Sequence, residues 1–427
     1  MNELFGKKLL ILGANPETVP LVEVANSLGV KTIVTSNVKD DLAKRFSWKS
    51  YDVNCTDVDK VIELARIEKV DGILVGVADV LVPYYQKICE KLNLPCYANK
   101  DSISAFCYKD IFKRTCEKYG IMGIPEYHLD ESMSENDIEQ IVFPVMVKPV
   151  DNGSGTGMTL CYNKYELKSA VDKALASSKN KRFIVERFMK NCPDVGIYYS
   201  FKDGECHLSA IFDRYTCDFQ KGVSKVNMCS VYPSKFIDVY YSKMHSKALK
   251  MFSDLNIENG VLLITAFYEN GEFYVYDPGF RFQGEAPHLL VKNINGYDQR
   301  EMMIRFALTG SGGNFPLSKY EDASFKGKKA ATLWILLKSG KITRIEGMNE
   351  IENDHRIKNI ITRFNVGDVI CDNWIGTEKQ VFTRLYLVCD NLIELRDLIY
   401  KCVNDIKVFD EDNENMCITK IDLKNIE

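Results

Sequence analysis

Lys148 closes an apolar run, Val142 to Val147, and three glycines at alternate positions follow it: Gly153, Gly155 and Gly157, with Ser154 and Thr156 between them. The run reads as a short buried strand. Glycine has no Cβ, so successive N–H groups can turn toward one point and approach an anion closely. A cation at a strand edge beside such a loop suits the oxygens of a polyphosphate. The bland alternative is a glycine-rich hairpin beside a surface lysine. The loop is not a Walker A loop, because no Gly-Lys-Ser/Thr closes it. Nor is it a dinucleotide fingerprint, because the spacing differs and no helical pattern opens after it.

Other polar residues stand at the ends of predicted elements. Lys109 and Lys113 share one face of a helix predicted over Asp101–Tyr119. They are either solvated lysines or a pair whose repulsion an anion would relieve. Glu186 lies in a strand predicted over Arg182–Met189, and Asp194 follows it. Asp277 ends the strand Glu272–Asp277, and Arg281 and Glu285 come soon after. Lysine neutralises phosphate as a point charge. A strand-end carboxylate can hold Mg²⁺ against phosphates. An arginine can grip a carboxylate through two bonds, or offset the charge on a phosphoryl group in transfer. Each also has an ordinary reading: Glu186 a surface acid beside Arg187, Asp277 a turn starter before Pro278, Arg281 the ion-pair partner of Glu285.

The elements that must position these groups follow from length and pattern. At 427 residues, 46% hydrophobic and 27% charged, the chain has ordinary globular usage and room for two or three domains. Residues 1–100 alternate buried strands (Lys8–Leu12, Lys31–Thr35, Gly72–Val75) with helical patterns. They read as a small doubly wound parallel sheet, with ligand positions expected near Gly13, Ala14 and Asn15 or near Asp79. From residue 101 to about 320 antiparallel hairpins dominate, the clearest being Gly260–Tyr268 and Glu272–Asp277 joined by Glu269-Asn270-Gly271. Residues 321–427 read as a third, smaller α+β unit that opens on a hairpin, Lys329–Leu337 with Lys341–Ile345. Net charge is −4, which supplies no basic field for nucleic acid or an anionic membrane. No apolar run approaches the roughly 20 residues that span a bilayer. No signal-peptide pattern opens the chain, and its 14 scattered cysteines, without a Cys-x-x-Cys pair, fit reduced thiols; a cytoplasmic location is expected. Five histidines, none near paired cysteines, argue against a zinc site.

The order of these landmarks resembles the ATP-grasp superfamily along essentially the whole chain, nearest its biotin-carboxylase-like and carboxylate–amine ligase branch. The matching pieces are Tyr108-Lys109; Phe143 to Lys148 with Gly153 to Gly157; Val185-Glu186-Arg187-Phe188-Met189; the hairpin Tyr268 to Asp277 with Phe280-Arg281; and Lys338 to Ile342. The resemblance implies an N-terminal Rossmann-like domain (1–100), an ATP-grasp domain (101–320, with a small lid at about 115–190) that clamps ATP between two α+β subdomains, and a small C-terminal domain (321–427). It implies that Lys109 and Lys148 contact the ATP phosphates, with the loop Gly153, Ser154, Gly155, Thr156 and Gly157 folding over them. Glu186, Arg187, Phe188 and Met189 would form the hinge that reads adenine, and Asp194 would take the ribose hydroxyls. Asp277, with Glu285 as a substitute ligand, would hold Mg²⁺ or Mn²⁺, and Arg281 would act at the acyl phosphate or the substrate carboxylate. The sequence departs from the family at two metal positions, with Thr265 where an acid is expected and Gly279 where asparagine is expected. The reaction implied is ATP-dependent amide formation from small-molecule carboxylate and amine substrates; a homodimer is the default expectation, and the net charge leaves neither nucleic acid nor membrane as an expected partner. Carbamoyl-phosphate-synthase-like or carboxylase-like phosphorylation, and nucleotide binding without turnover, are the alternatives.

Overall fold

The buried runs at the start of the chain pair side by side. In the computed structural model, which describes residues 3–151, 157–217 and 226–426, β1 (Lys8–Leu12), β2 (Lys31–Thr35), β3 (Lys49–Tyr51) and β4 (Gly72–Val75) form a parallel sheet in the order β3-β2-β1-β4. Four of the five β1 residues are fully buried, as befits an inner strand; the helix Val19–Ser27 connects β1 to β2, Val58–Glu68 connects β3 to β4, and Val82–Leu92 follows β4. The sequence pattern does not mark β3, because none of its residues is buried.

The single helix expected over Asp101–Tyr119 is two helices, Lys100–Cys107 and Lys109–Lys118. Tyr108 breaks them with φ −131° and ψ 117°, and the Lys109 N–H donates to the Val150 carbonyl (3.1 Å) instead of to a carbonyl of the preceding helix. The break makes Lys109 the first residue of a helix and anchors that helix to the end of the Lys148 strand. Lys109–Lys118 leads into the lid, whose strands β5 (Glu126–Tyr127), β6 (Val145–Pro149), β7 (Thr159–Cys161) and β8 (Phe183–Arg187) run antiparallel in the order β5-β8-β6-β7. The helix Leu167–Ser177 covers this sheet, and Val145, Val147, Leu167, Val171 and Val185 form a core separate from the rest of the protein.

The largest sheet has eight strands, all antiparallel: β9 (Asp194–Lys202), β10 (Glu205–Cys217), β11 (Val226–Tyr232), β12 (Gly260–Glu269), β13 (Glu272–Gly279), β14 (Lys329–Leu336), β15 (Ile357–Thr362) and β16 (Val381–Cys389). Their order is β13-β12-β9-β10-β11-β14-β16-β15. The β12–β13 hairpin forms as its Asn-Gly pair predicts, with φ of +52° at Asn270 and +86° at Gly271. The hairpin expected at residues 329–345 does not form. β14 is buried over seven of its eight residues and pairs with β11 and β16, two other buried strands. The polar segment after it pairs elsewhere, Gly340–Lys341 with Val369–Ile370 and Arg344–Glu346 with Lys407–Phe409. The sheet thus continues across residue 320, while a second core (Leu333, Ile335, Phe382, Leu385, Leu398) gathers under the C-terminal helix Leu392–Asp405.

One buried cluster ties the two ends of the chain together. Glu17, in the turn after β1, accepts hydrogen bonds from Arg363 Nε (2.8 Å) and Arg384 Nη1 (2.6 Å). Burial raises its carboxyl, but the two guanidinium charges outweigh burial and bring it down to about 2.

Candidate active site

The lid presents its charges on two neighbouring strands. Met146 on β6 pairs with Glu186 on β8, and Lys148, two residues on, reaches the Glu186 carboxylate: Nζ lies 2.5 Å from Oε2. The other oxygen, Oε1, takes the Lys113 ammonium at 2.7 Å, and Lys113 also donates to the Ile124 carbonyl (2.6 Å) and pairs with Glu126. All three groups are nearly inaccessible: Lys113 is 2% exposed, Lys148 4% and Glu186 1%. Burial alone would raise the Glu186 carboxyl, but Lys148 and Lys113 prevail and hold it below its ordinary value. Glu186 is therefore no surface acid. It fixes two lysines, and Lys148 stands at the foot of the glycine loop. Gly153, Ser154, Gly155 and Thr156 lie outside the described residues. Gly157 has φ +79°, and a Cβ there would lie 2.7 Å from the Ser177 side chain, so the loop must end on glycine.

The hinge runs from β8 into β9. Arg187 N–H donates to the Pro125 carbonyl (2.9 Å) and Phe188 N–H to that of Pro144 (3.2 Å), so both amides are engaged within the lid. The Arg187 guanidinium reaches across to Glu269 Oε2 on β12 (2.6 Å) and to the Met189 sulfur (3.1 Å). Met189 is buried at 4% exposure.

Facing the lid, the edge of the central sheet carries the second set. Asp277 on β13 pairs in register with Thr265, whose hydroxyl donates to the Asp277 carbonyl (2.9 Å). Its carboxylate meets Lys109 Nζ, and its side chain remains 41% exposed. Lys109 and Lys113 thus leave one helix toward two different carboxylates. Arg281 does not pair with Glu285; it binds Asp79 of the N-terminal domain, the Phe282 carbonyl (2.9 Å) and Gln283. That contact brings the end of β4, one of the two ligand positions expected of the parallel sheet, against the loop after β13. Asp194 and Glu285 are joined through Arg214, which donates Nη1 to Asp194 Oδ2 (3.0 Å) and Nη2 to Glu285 Oε1 (2.6 Å). The Tyr276 hydroxyl accepts from Arg214 Nη1 (2.9 Å) and donates to Asp194 Oδ1 (2.9 Å). Among the described residues no group of three His, Cys, Asp or Glu side chains gathers to hold a metal by itself.

Sequence reasoning missed Arg214 and Tyr276. The apolar pattern before Arg214 stops at Phe212, yet β10 runs to Cys217; a charged residue among half-buried neighbours was the signal available. Tyr276 is the extra residue of a bulge, since Thr265 pairs with Asp277 and Ala266 with Val275. A bulge re-aims the side chain it displaces, and sequence alone does not locate it.

Known proteins similar to this chain include ATP-binding enzymes. Residues 109–312 match the family described as carbamoyl-phosphate synthase L chain, ATP binding domain. A pyruvate carboxylase polypeptide of Methanothermobacter thermautotrophicus is 23% identical over 320 residues, 70% of this chain and 64% of that protein. A formate-dependent phosphoribosylglycinamide formyltransferase of Bacillus velezensis is 28% identical over 187 residues, 43% of this chain and 48% of that protein. The matches therefore span less than two thirds of these relatives' lengths. The structure of an L-amino acid ligase from Bacillus licheniformis superposes with a TM-score of 0.78 at 18% identity, covering 95% of this chain and 99% of that one, which shows the fold. No helix among the described residues is long and apolar enough to cross a membrane. Residues 109–312, just under half of the chain, are thus similar to an ATP-binding domain, and the fold around them is that of the L-amino acid ligase structure.

Proposed function

We propose that the protein is an ATP-dependent carboxylate–amine ligase. The observation that carries this reading is the pairing of a buried lysine cluster on the lid (Lys148, Glu186, Lys113) with an open Lys109–Asp277 pair on the sheet edge opposite. Lys148 and Lys109 neutralise the phosphates of ATP, and the loop from Gly153 to Gly157 closes over them. Arg187 and Phe188 have their amides engaged in the lid, so the adenine edge falls to Met189, and Asp194 faces the ribose. Mg²⁺ bound to a nucleotide takes one or two carboxylates and completes its shell with phosphate and water; Asp277 fits that role, and Mn²⁺ suits the same oxygen. When bound there, such an ion would supply charge neutralisation to the phosphoryl group in transfer.

The reaction proceeds in two displacements. A carboxylate oxygen of the substrate attacks the γ-phosphorus, the bond to the β–γ bridging oxygen breaks, and ADP leaves. An amine nitrogen then attacks the carbonyl carbon, inorganic phosphate departs with the acyl oxygen, and the nitrogen gives up a proton. Arg281, at the loop between Asp79 and Gln283, orients the carboxylate for both displacements. Closure of the lid excludes water, which would hydrolyse the acyl phosphate.

Incubation with ATP, Mg²⁺ and pools of amino acids and amines should release phosphate and yield an amide by mass spectrometry. A carboxylated or phosphorylated product would place the enzyme with the carboxylases or carbamoyl-phosphate synthases instead. Lys148→Ala should abolish ATP binding, whereas Arg281→Ala should spare binding and remove turnover; loss of affinity in the arginine variant contradicts its role. Thr265 and Gly279 favour one other reading, nucleotide binding without turnover. Calorimetric binding of ATP with no phosphate release across the pools would establish it.

A further inference from the structure

A single guanidinium links the nucleotide side of the cleft to the loop after β13. Arg214 on β10 stands opposite Asp194 on β9 and Ser230 on β11 in strand register, so the three side chains share one face of the sheet. It binds Asp194 and Tyr276 through Nη1 and Glu285 through Nη2. Ser230 completes the contact from the far side, donating to Glu285 Oε2 (3.2 Å), and the Tyr386 hydroxyl donates to the Glu285 carbonyl (3.3 Å). Tyr276 carries the connection on to the lid, because the Lys148 ammonium lies 5.8 Å from the centre of its ring. The loop that holds Glu285 ends on Ala286 with φ +49°, a left-handed conformation that a residue with a Cβ adopts only when its surroundings enforce it.

Resting on the ligase reading above, we propose that Arg214 is a positioning residue that sets Tyr276 and Asp194 for the nucleotide and Glu285 for the acceptor, so that a change at Glu285 reaches the nucleotide only through Arg214. The planar guanidinium is suited to this because it presents donors in fixed directions to several acceptors at once. A lysine in its place keeps the charge but offers one compact ammonium. In this arrangement one Glu285 oxygen accepts from Arg214 and the other from Ser230. Its alternative role, the one the family resemblance implies, is direct coordination of Mg²⁺. The two roles make different demands on Arg214.

The test is a double-mutant cycle on the full chain, read as the Kd of adenylyl imidodiphosphate by calorimetry with and without Mg²⁺. Wild type, E285Q, R214M, R214K and the E285Q/R214M pair are compared, and circular dichroism confirms that each is folded. The expected result is that E285Q weakens binding about fivefold in the wild-type background, with and without Mg²⁺, and has almost no effect beside R214M. R214K should behave as R214M does, because charge alone does not restore the geometry. Should R214M fail to fold, R214K carries the same comparison. Equal, Mg²⁺-dependent losses from E285Q in both backgrounds would assign Glu285 to the metal and overturn the proposal, and so would E285Q having no effect at all. Absence of nucleotide binding by the wild type would overturn the ligase reading itself, and this inference with it.

Discussion

The lid cluster and the sheet-edge pair use the same chemical groups for different ends. On the lid, one carboxylate lies between two ammonium groups, and all three are buried. On the sheet edge, one ammonium meets one carboxylate that stays 41% exposed. A buried charge is tolerated only when paired, and breaking such a pair leaves an uncompensated charge that costs far more than the pair contributes. An exposed pair is screened and worth little to the fold. The lid cluster is thus bound up with folding, whereas the fold does not depend on the Lys109–Asp277 pair, and the roles proposed for the two require that they separate.

That contrast can be broken by exchange of single groups. Glu186→Gln should give the largest effect, since it leaves Lys113 and Lys148 buried against a neutral amide; a loss of roughly 3–5 kcal/mol is expected in urea unfolding. Asp277→Asn should change stability by no more than about 1 kcal/mol yet lower phosphate release roughly 100-fold. If the two substitutions destabilise equally, the distinction between the sites fails. The pH dependence sharpens it. The Glu186 carboxyl sits below its ordinary value in the folded protein, so its contribution is complete above the unfolded value, about 4.3. It is lost as the pH falls through the folded value. The stability gap between wild type and Glu186→Gln should therefore be constant near neutrality and shrink on acidification below about pH 4.3. The smallest effect belongs to the hinge. Arg187 and Glu269 are 35% and 27% exposed, and Glu269→Gln should cost about 0.5 kcal/mol in thermal unfolding.

The comparison also explains what the sequence makes legible. Lys148 and Glu186 sit at the ends of apolar strands, and strand periodicity is a local signal that survives without a structure. The Asn270-Gly271 turn is local for the same reason. What the sequence conceals depends on which strand lies beside which. β14 could not be assigned its neighbours from its own residues, because a strand buried on both faces fits any equally buried partner, and β11 and β16 lie far from it in the chain. Arg281 stands out in the sequence after β13, but its attachment to Asp79 spans 202 positions. Arg214 lies where the pattern has lost its alternation. The helix break at Tyr108 also escapes the pattern, since its cause is the Val150 carbonyl on another element.

The eight-stranded sheet has a consequence for any attempt to divide the chain. β11 has β10 on one side and β14 on the other, so cutting near residue 320 would strip β11 of half its amide partners and turn an interior ribbon, buried at every residue, into an open border. An uncovered apolar border of that kind recruits strands from other molecules. A fragment trimmed to the nucleotide-binding portion should therefore precipitate or form oligomers, and solubility should return when the missing C-terminal piece is supplied as a separate polypeptide.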